Sequence, residues 1–164
     1  MNSEKPDKGK AWKGLKEEKS FFLSELTKQV RKATKMVNRL KLIALITIEV
    51  HARDITDFLS KTCFSVNSFD WKKQLRFKAT LQGESADCTV EQTSTVFPYG
   101  FEYQGNNGRL VVTSLTDRCY MTLTTAMDLK KGGAPQGPAG TGKTETVKDL
   151  GKSLAKFVVV FNCS

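Results

Sequence analysis

The residues with the clearest chemical potential lie near the end of the sequence, in the stretch GPAGTGKT from Gly137 to Thr144. The stretch fits G-x-x-x-x-G-K-[ST], a pattern that predicts a loop around nucleotide phosphates. Its glycines permit backbone conformations closed to other residues, so successive N–H groups can point at phosphate oxygens. We therefore predict a nucleotide-binding site formed by Gly137, Pro138, Ala139, Gly140, Thr141, Gly142, Lys143, Thr144 and Glu145.

Two side chains of this loop have separate expected roles. The ammonium of Lys143 is expected to contact the β- and γ-phosphates, and the hydroxyl of Thr144 is expected to bind Mg²⁺. A helix that begins at Lys143 would direct the positive end of its dipole at the same anion. ATP and Mg²⁺ are therefore the expected ligands. The weak point is the preceding GGAPQ, which is a poor strand because it has no apolar run and contains Pro135.

The elements around the loop follow from apolar spacing and end signals. Before it, LTDRCYMTLTTAMDLKK predicts a helix that Thr116 caps and Gly132 ends. After it, Val147, Leu150 and Leu154 predict a second helix with one apolar face. The continuous run FVVVF, residues 157–161, predicts a parallel strand buried on both faces. Helix, loop, helix and strand are the start of an α/β sheet.

The front of the sequence predicts mainly helix. Residues 1–19 suggest a flexible, Lys-rich leader, and helical spacing begins at Ser20 and continues through residues 42–60. A short element is predicted around WKKQLRF, and the polar stretch LQGESADCTVEQT is predicted to be a loop. PYGFEYQGNNGRLVVTS predicts a β-hairpin that turns at Asn107-Gly108. The fold class is α/β, or α+β over the whole chain.

Composition indicates a globular protein. The 164 residues are 39% hydrophobic and 26% charged, with a net charge of +9. The apolar run at residues 40–50 is about half the ~20 residues that a membrane span requires, and the N-terminus lacks the apolar segment of a signal peptide. We expect a soluble chain without a membrane partner. Cys63, Cys88, Cys119 and Cys163 are too far apart in sequence to form a metal-binding C-x-x-C pair, and we expect reduced thiols.

A run of six basic residues without an acid extends from Lys28 to Lys41. It would suit nucleic acid, an anionic membrane or an acidic protein. A solvated helix face is favoured, because no nucleic-acid module and no interleaved aromatic residues accompany it, and we expect no nucleic-acid partner. A stand-alone basic protein that binds an acidic partner, without nucleotide chemistry, remains the alternative function.

The last fifty residues are specific enough to indicate a family. The sequence LTDRCYMTLTTAMDLKKGGAPQGPAGTGKTETVKDLGKSLAKFVVVFNCS resembles the first AAA+ module of dynein heavy chains, in which the GGAP prelude is normal. The GGAP and KTET spellings are more similar to axonemal than to cytoplasmic chains. Upstream, TIEVHARDI, NSFDWKKQLRF and YGFEYQGNNGRLVVTSLTDR resemble the end of the dynein linker. The resemblance covers roughly residues 36–164.

The resemblance implies a domain organisation and a function. Residues 1–35 would be a partly disordered leader, residues 36–110 the C-terminal part of the linker, and residues 111–164 the N-terminal part of the first AAA+ ATPase module. The implied function is ATP binding within a microtubule motor of the ciliary axoneme, in the cytoplasm and cytoskeleton. Implied partners are intermediate chains, light chains and microtubules. Thr113, Ser114 and Leu115 match the segment beside the adenine.

Three departures from the family pattern and one missing motif limit how much of the family's function can be expected of this chain. Ser114 stands where many relatives have proline, Lys78 where they have an aromatic residue, and Asn107-Gly108 replaces a variable pair. The acidic motif that supports Mg²⁺ and water activation in the family does not follow within this sequence, which also disfavours a small P-loop kinase or GTPase. We expect a fragment that binds ATP but scarcely hydrolyses it, and its status as an enzyme stays open.

Overall fold

The structure is a computed structural model that describes residues 8–82, 85–105 and 108–162. Helices and antiparallel strands are both present, as the predicted mixed class requires. The helices are α1 (Lys8–Lys32), α2 (Met36–Thr62), α3 (Phe69–Lys72), α4 (Ser114–Asp128) and α5 (Lys143–Ser153). The strands are β1 (Arg76–Gln82), β2 (Ser85–Gln92) and β3 (Thr95–Pro98).

The described residues form two compact units, which are treated separately below. The helical unit comprises residues 8–66 and 108–111. The phosphate-loop unit comprises residues 67–82, 85–105 and 112–162.

In the helical unit, α1 and α2 pack against each other in antiparallel directions. Lys16 pairs with Asp57, and the Lys19 ammonium lies 2.8 Å from the Glu49 carboxylate. The side chains of Leu23, Leu26 and Leu59 are buried. The prediction of a flexible leader is therefore wrong for residues 8–19, which belong to α1; residues 1–7 lie outside the described residues. The Lys, Glu, Ala and Leu residues of α1 favour a helix, but such a helix is only marginally stable by itself. Packing against α2 stabilises it.

The basic run does not lie on one helix. The helical hydrogen-bonding pattern stops after Lys32 and resumes at Met36, so the run spans the end of α1 and the start of α2. All six of its basic side chains are exposed. This arrangement agrees with a solvated surface, although the surface belongs to two helices and the bend between them.

A three-stranded antiparallel sheet in the order β1-β2-β3 forms part of the phosphate-loop unit. Val90 on the central strand faces Phe77 on β1 and Phe97 on β3 in the register. The predicted polar loop at residues 81–93 is therefore wrong, because most of it is β2. Its period-two pattern is hidden by polar side chains, yet both Val90 and Gln92 are buried.

The predicted hairpin at residues 98–114 is also wrong. Beyond the end of β3 at Pro98, no described residue of this stretch belongs to a strand, and Asn107 lies outside the described residues. The first part of this stretch instead forms backbone hydrogen bonds with the residues directly after α5. The N–H of Gly100 donates to the Leu154 carbonyl at 2.9 Å, and the N–H of Glu102 donates to the Ala155 carbonyl at 3.0 Å. A Cβ on Gly100 would lie 2.3 Å from the Ala155 oxygen, so this approach requires glycine.

The core of this unit lies among the sheet, α4 and α5. It is formed by Val90, Phe97, Tyr120, Leu123, Leu150 and Leu154. Two of the predicted stripe residues of α5, Leu150 and Leu154, are thus confirmed as core, and Val147 packs against them while partly exposed. Burial of these side chains positions α5, and with it the loop that precedes α5.

The ends of α4 differ from the prediction. Thr113 is the N-cap, because α4 begins at Ser114, and Thr116 supports it from within the first turn. The helix ends at Asp128, and Lys130 adopts a left-handed conformation with φ 56° before Gly132 is reached. The Lys131 N–H then donates to the Ala126 carbonyl at 2.8 Å. A lysine therefore takes the position that glycine usually occupies after a helix.

The predicted buried strand at residues 157–161 is not observed as one. In the part of the chain that the structure describes, no strand pairs with it, and Phe157 and Phe161 are 71% and 84% exposed. A strand acquires burial only from neighbouring strands and covering helices.

Among the described residues, no helix has the length and apolar character needed to cross a membrane.

Candidate phosphate-binding site

The glycine loop leads directly into α5. Lys143 is the first residue of this helix and Gly142 is its N-cap, with φ 79°. Gly140 has φ 77°. A side chain at either position would be strained by the backbone alone, since left-handed conformations cost a residue with a Cβ roughly 1–2 kcal/mol. The two glycines thus turn the chain so that the N-terminal N–H groups of α5 face the loop.

The Lys143 side chain folds back over the loop. Its ammonium donates to the Gly137 carbonyl at 2.8 Å and also to the Pro138 carbonyl. The Thr141 hydroxyl donates to the same Pro138 carbonyl at 2.9 Å. The loop therefore brings four of its predicted residues into one hydrogen-bonded turn. The charge of Lys143 stays within the loop and faces carbonyl oxygens, which are weaker partners than phosphate oxygens.

The first turn of α5 also carries the predicted residues Thr144 and Glu145. Thr144 is exposed, and the Glu145 carboxylate accepts a hydrogen bond from Lys148 at 2.8 Å. That hydrogen bond, with the Lys148 charge, lowers the pKa of Glu145 below its usual value. Among residues 8–82, 85–105 and 108–162, no group of three His, Cys, Asp or Glu side chains is placed to hold a metal ion.

The predicted adenine-side residues lie at the N-terminus of α4. The N–H of Thr113 donates to the Thr116 hydroxyl at 2.6 Å, and the N–H of Thr116 donates to the Thr113 hydroxyl at 3.4 Å. This reciprocal pair is a capping box. Ser114 and Leu115 follow on the first turn and are exposed, Leu115 by 76%. The departure at Ser114 thus falls on the first residue of the helix, a position where proline is also favoured.

A buried hydrogen bond connects the helices that carry the two parts of the site. The Tyr120 hydroxyl on α4 donates to the Asp149 carboxylate on α5 at 2.8 Å. Both side chains are buried, Asp149 to 1% exposure. Sequence reasoning missed this pair. The available signal was an aspartate beside Leu150 on the apolar side of α5, where a buried carboxylate needs a partner.

A second buried polar contact joins α4 to the sheet. The Thr124 hydroxyl donates to the Gln92 side-chain carbonyl at 2.9 Å, and the Gln92 amide donates to the Lys73 carbonyl at 3.0 Å. Thr124 and Gln92 are both buried. The Thr124 contact lies one helical turn beyond Tyr120 and makes no link to α5, which makes it a natural comparison for the Tyr120–Asp149 bond.

Cys63, Cys88 and Cys119 lie outside the glycine loop. Cys63, Cys88 and Cys119 are free thiols, as expected, and burial raises the pKa of Cys119. Cys163 lies outside the described residues. A raised pKa lowers the fraction of the reactive thiolate at Cys119.

Comparisons with known proteins agree with the position of the loop. Residues 99–164 match the family described as the hydrolytic ATP-binding site of the dynein motor region. The dynein-1-beta heavy chain of the flagellar inner arm I1 complex from Chlamydomonas reinhardtii is 58% identical over 151 residues, which are 92% of this chain and 3% of that protein. Human dynein axonemal heavy chain 2 is 53% identical over 162 residues, 98% of this chain and 4% of that protein.

Human dynein axonemal heavy chain 1 is 54% identical over 143 residues, 87% of this chain and 3% of that protein. The chain thus spans 3–4% of the length of these relatives. Identity above 50% extends well upstream of the family match, over both compact units. Over most of its length the chain is therefore similar to axonemal dynein heavy chains, and residues 99–164 match the hydrolytic ATP-binding region of the dynein motor.

Proposed function

We propose that this chain binds Mg·ATP through the loop from Gly137 to Glu145, as the ATP-binding segment of an axonemal dynein heavy chain. The observation that carries the proposal is the position of Lys143, which is the first residue of α5 and folds into its own glycine loop. A lysine and a helix N-terminus directed at one concave backbone are the parts that bind nucleotide phosphates.

Binding exchanges weak partners of Lys143 for strong ones. Without nucleotide, its ammonium donates to the carbonyls of Gly137 and Pro138. With ATP, it would donate to phosphate oxygens, which carry full charges and form hydrogen bonds about twice as strong as those between neutral groups. The exposed loop would accept the phosphates without opening a packed core.

Mg²⁺ fits the first turn of α5. The hydroxyl of Thr144 is an oxygen donor, is exposed, and follows Lys143 directly. Mg²⁺ usually keeps several waters and takes one or two protein oxygens together with the phosphates of its nucleotide. We propose Thr144 as the protein ligand. The ion would offset phosphate charge, while Lys143 orients the phosphates within the loop.

The adenine would lie beside Thr113, Ser114 and Leu115. The capping box holds the start of α4 in one conformation, and the exposed side chain of Leu115 offers apolar area to a base. As part of a longer heavy chain, the segment would serve a motor in the ciliary axoneme. Its partners there would be microtubules and the intermediate and light chains of the dynein complex. We also propose that a domain boundary near residue 110 separates the linker part from the ATPase module.

Calorimetric titration of Mg·ATP into the 164-residue chain tests the proposal. Lys143→Ala removes the side-chain cation aimed at the phosphates, a charge-assisted contact that contributes about 1.5–3 kcal/mol. We expect affinity to fall roughly ten- to a hundred-fold. Lys131→Ala removes the same charge from an exposed residue outside the loop and should change affinity by less than about two-fold.

Two results would contradict the proposal. One is the absence of heat at millimolar Mg·ATP with the unchanged chain. The other is an equal loss of affinity in Lys143→Ala and Lys131→Ala, which would reduce the role of the loop lysine to general surface charge. Circular dichroism of each variant shows that the helices persist.

A further inference from the structure

We propose that Tyr120 and Asp149 are positioning residues that hold the adenine side and the phosphate side of the nucleotide site in register. The inference rests on the proposed function and goes beyond it, because neither residue belongs to the loop or to the adenine-side segment. It starts from a side-chain hydrogen bond between α4 and α5, in which the Tyr120 hydroxyl donates to the Asp149 carboxylate at 2.8 Å.

The position of this bond along the two helices is symmetric. Tyr120 lies six residues after Ser114, the first residue of α4, and Asp149 lies six residues after Lys143, the first residue of α5. At 1.5 Å per residue, each partner lies about 9 Å behind the N-terminus of its helix. The bond therefore ties α4 to α5 at the same distance from the start of each helix.

Burial makes the bond a directional constraint. Tyr120 is 4% exposed and Asp149 is 1% exposed, among Leu123, Leu150 and Leu154. Apolar contacts tolerate small shifts along a helix, because one methyl group can replace another. A hydrogen bond between two buried side chains has no water to replace it, so a shift that breaks the Tyr120–Asp149 bond is costly.

The affinity of a ligand that contacts both helix starts should depend on the Tyr120–Asp149 bond. The affinity of a ligand that contacts only one helix start should not. ATP would engage the loop before α5 and the segment at the start of α4. Inorganic tripolyphosphate offers the same phosphates without a base, so it would engage the loop alone. The ratio of the ATP affinity to the tripolyphosphate affinity therefore reports how well the two helix starts are aligned. A change in the stability of the loop would alter both affinities by the same factor.

The experiment measures Mg·ATP and Mg·tripolyphosphate affinity for the full 164-residue chain and three variants. Tyr120→Phe removes only the hydroxyl, and we expect ATP affinity to fall about ten-fold while tripolyphosphate affinity changes less than about two-fold. Asp149→Asn keeps an acceptor oxygen for Tyr120 and should retain most of the ATP affinity. If Tyr120→Phe does not fold, an equal loss of ATP and tripolyphosphate affinity in Asp149→Asn would overturn the inference.

Thr124→Val is the matched control. It removes a buried hydrogen bond from the same helix, to Gln92 at 2.9 Å, without touching α5. We expect it to leave the ratio of the two affinities unchanged. Equal losses of ATP and tripolyphosphate in Tyr120→Phe, or an equal change of the ratio in Thr124→Val, would overturn the inference while ATP binding by the unchanged chain still supports the site. If the unchanged chain binds neither ligand, the proposed function fails, and the inference fails with it.

Discussion

The helical unit and the phosphate-loop unit stabilise their helices by different means. In the helical unit, charged side chains pair on the surface, as Lys16 does with Asp57, while Met36 and Val37 on α2 remain more than half exposed. In the phosphate-loop unit, polar side chains pair inside the core, as Tyr120 does with Asp149. Surface pairs tolerate movement, whereas buried pairs specify one arrangement, and the candidate site lies in the unit that has the buried pairs.

The largest expected difference between the units comes from matched leucine substitutions. Leu154 is 1% exposed, and Leu154→Ala should destabilise the phosphate-loop unit by about 2–5 kcal/mol, through lost burial and a residual cavity. Leu40 on α2 is 47% exposed, and Leu40→Ala should cost less than about 1 kcal/mol. Amide hydrogen exchange in α5 and in α2 measures each unit locally. Equal losses of protection would show that the α2 face is as tightly packed as the core.

A smaller difference is expected at the helix starts. Thr113 caps α4 through the capping box, so Thr113→Ala should cost about 1 kcal/mol and increase exchange in the first turn of α4. Lys35 is the N-cap of α2 and makes no side-chain capping hydrogen bond. Lys35→Ala should therefore change exchange in α2 very little. A larger effect at Lys35 than at Thr113 would reverse the contrast.

The smallest effect concerns acid stability of the helical unit. Hydrogen bonds from Lys16 and then Lys61 lower the pKa of Asp57 from 3.8 to about 2. Because the pKa is lowered in the folded state, the contribution of Asp57 is present above 3.8 and is lost as pH falls through about 2. Urea titrations followed by circular dichroism at pH 5 and pH 2 should show a small acid-dependent loss that Asp57→Asn reduces.

Asp54→Asn is the control for this measurement. Its carboxylate pairs at 2.7 Å with Arg53, the preceding residue of α2, so most of the acid-dependent loss should persist in this variant. If both substitutions reduced the acid-dependent loss of stability equally, general charge, and not the Lys16–Asp57 pair between α1 and α2, would set the pH dependence.

Local patterns predicted the conformation of the glycine loop and its helix better than they predicted the surrounding sheet. The G-x-x-x-x-G-K-[ST] pattern led to a loop followed by a helix that begins at Lys143, and the structure has both. The stretch at residues 81–93 was misassigned, because its polar side chains hide the alternation of β2. The hairpin at residues 98–114 was misassigned because an Asn-Gly turn signal says nothing about the distant carbonyls of Leu154 and Ala155, which bond to Gly100 and Glu102.

The sequence by itself determined the features that depend on neighbours along the chain. Gly140 and Gly142 permit positive φ angles, Lys143 follows them, and the apolar spacing of Leu150 and Leu154 defines the buried face of α5. Only the tertiary structure decided that Asp149 faces Tyr120, 29 residues earlier in the chain. The physical reason is that a buried hydrogen bond depends on which helices pack together, and many pairings of one sequence satisfy the same local pattern until the core selects one.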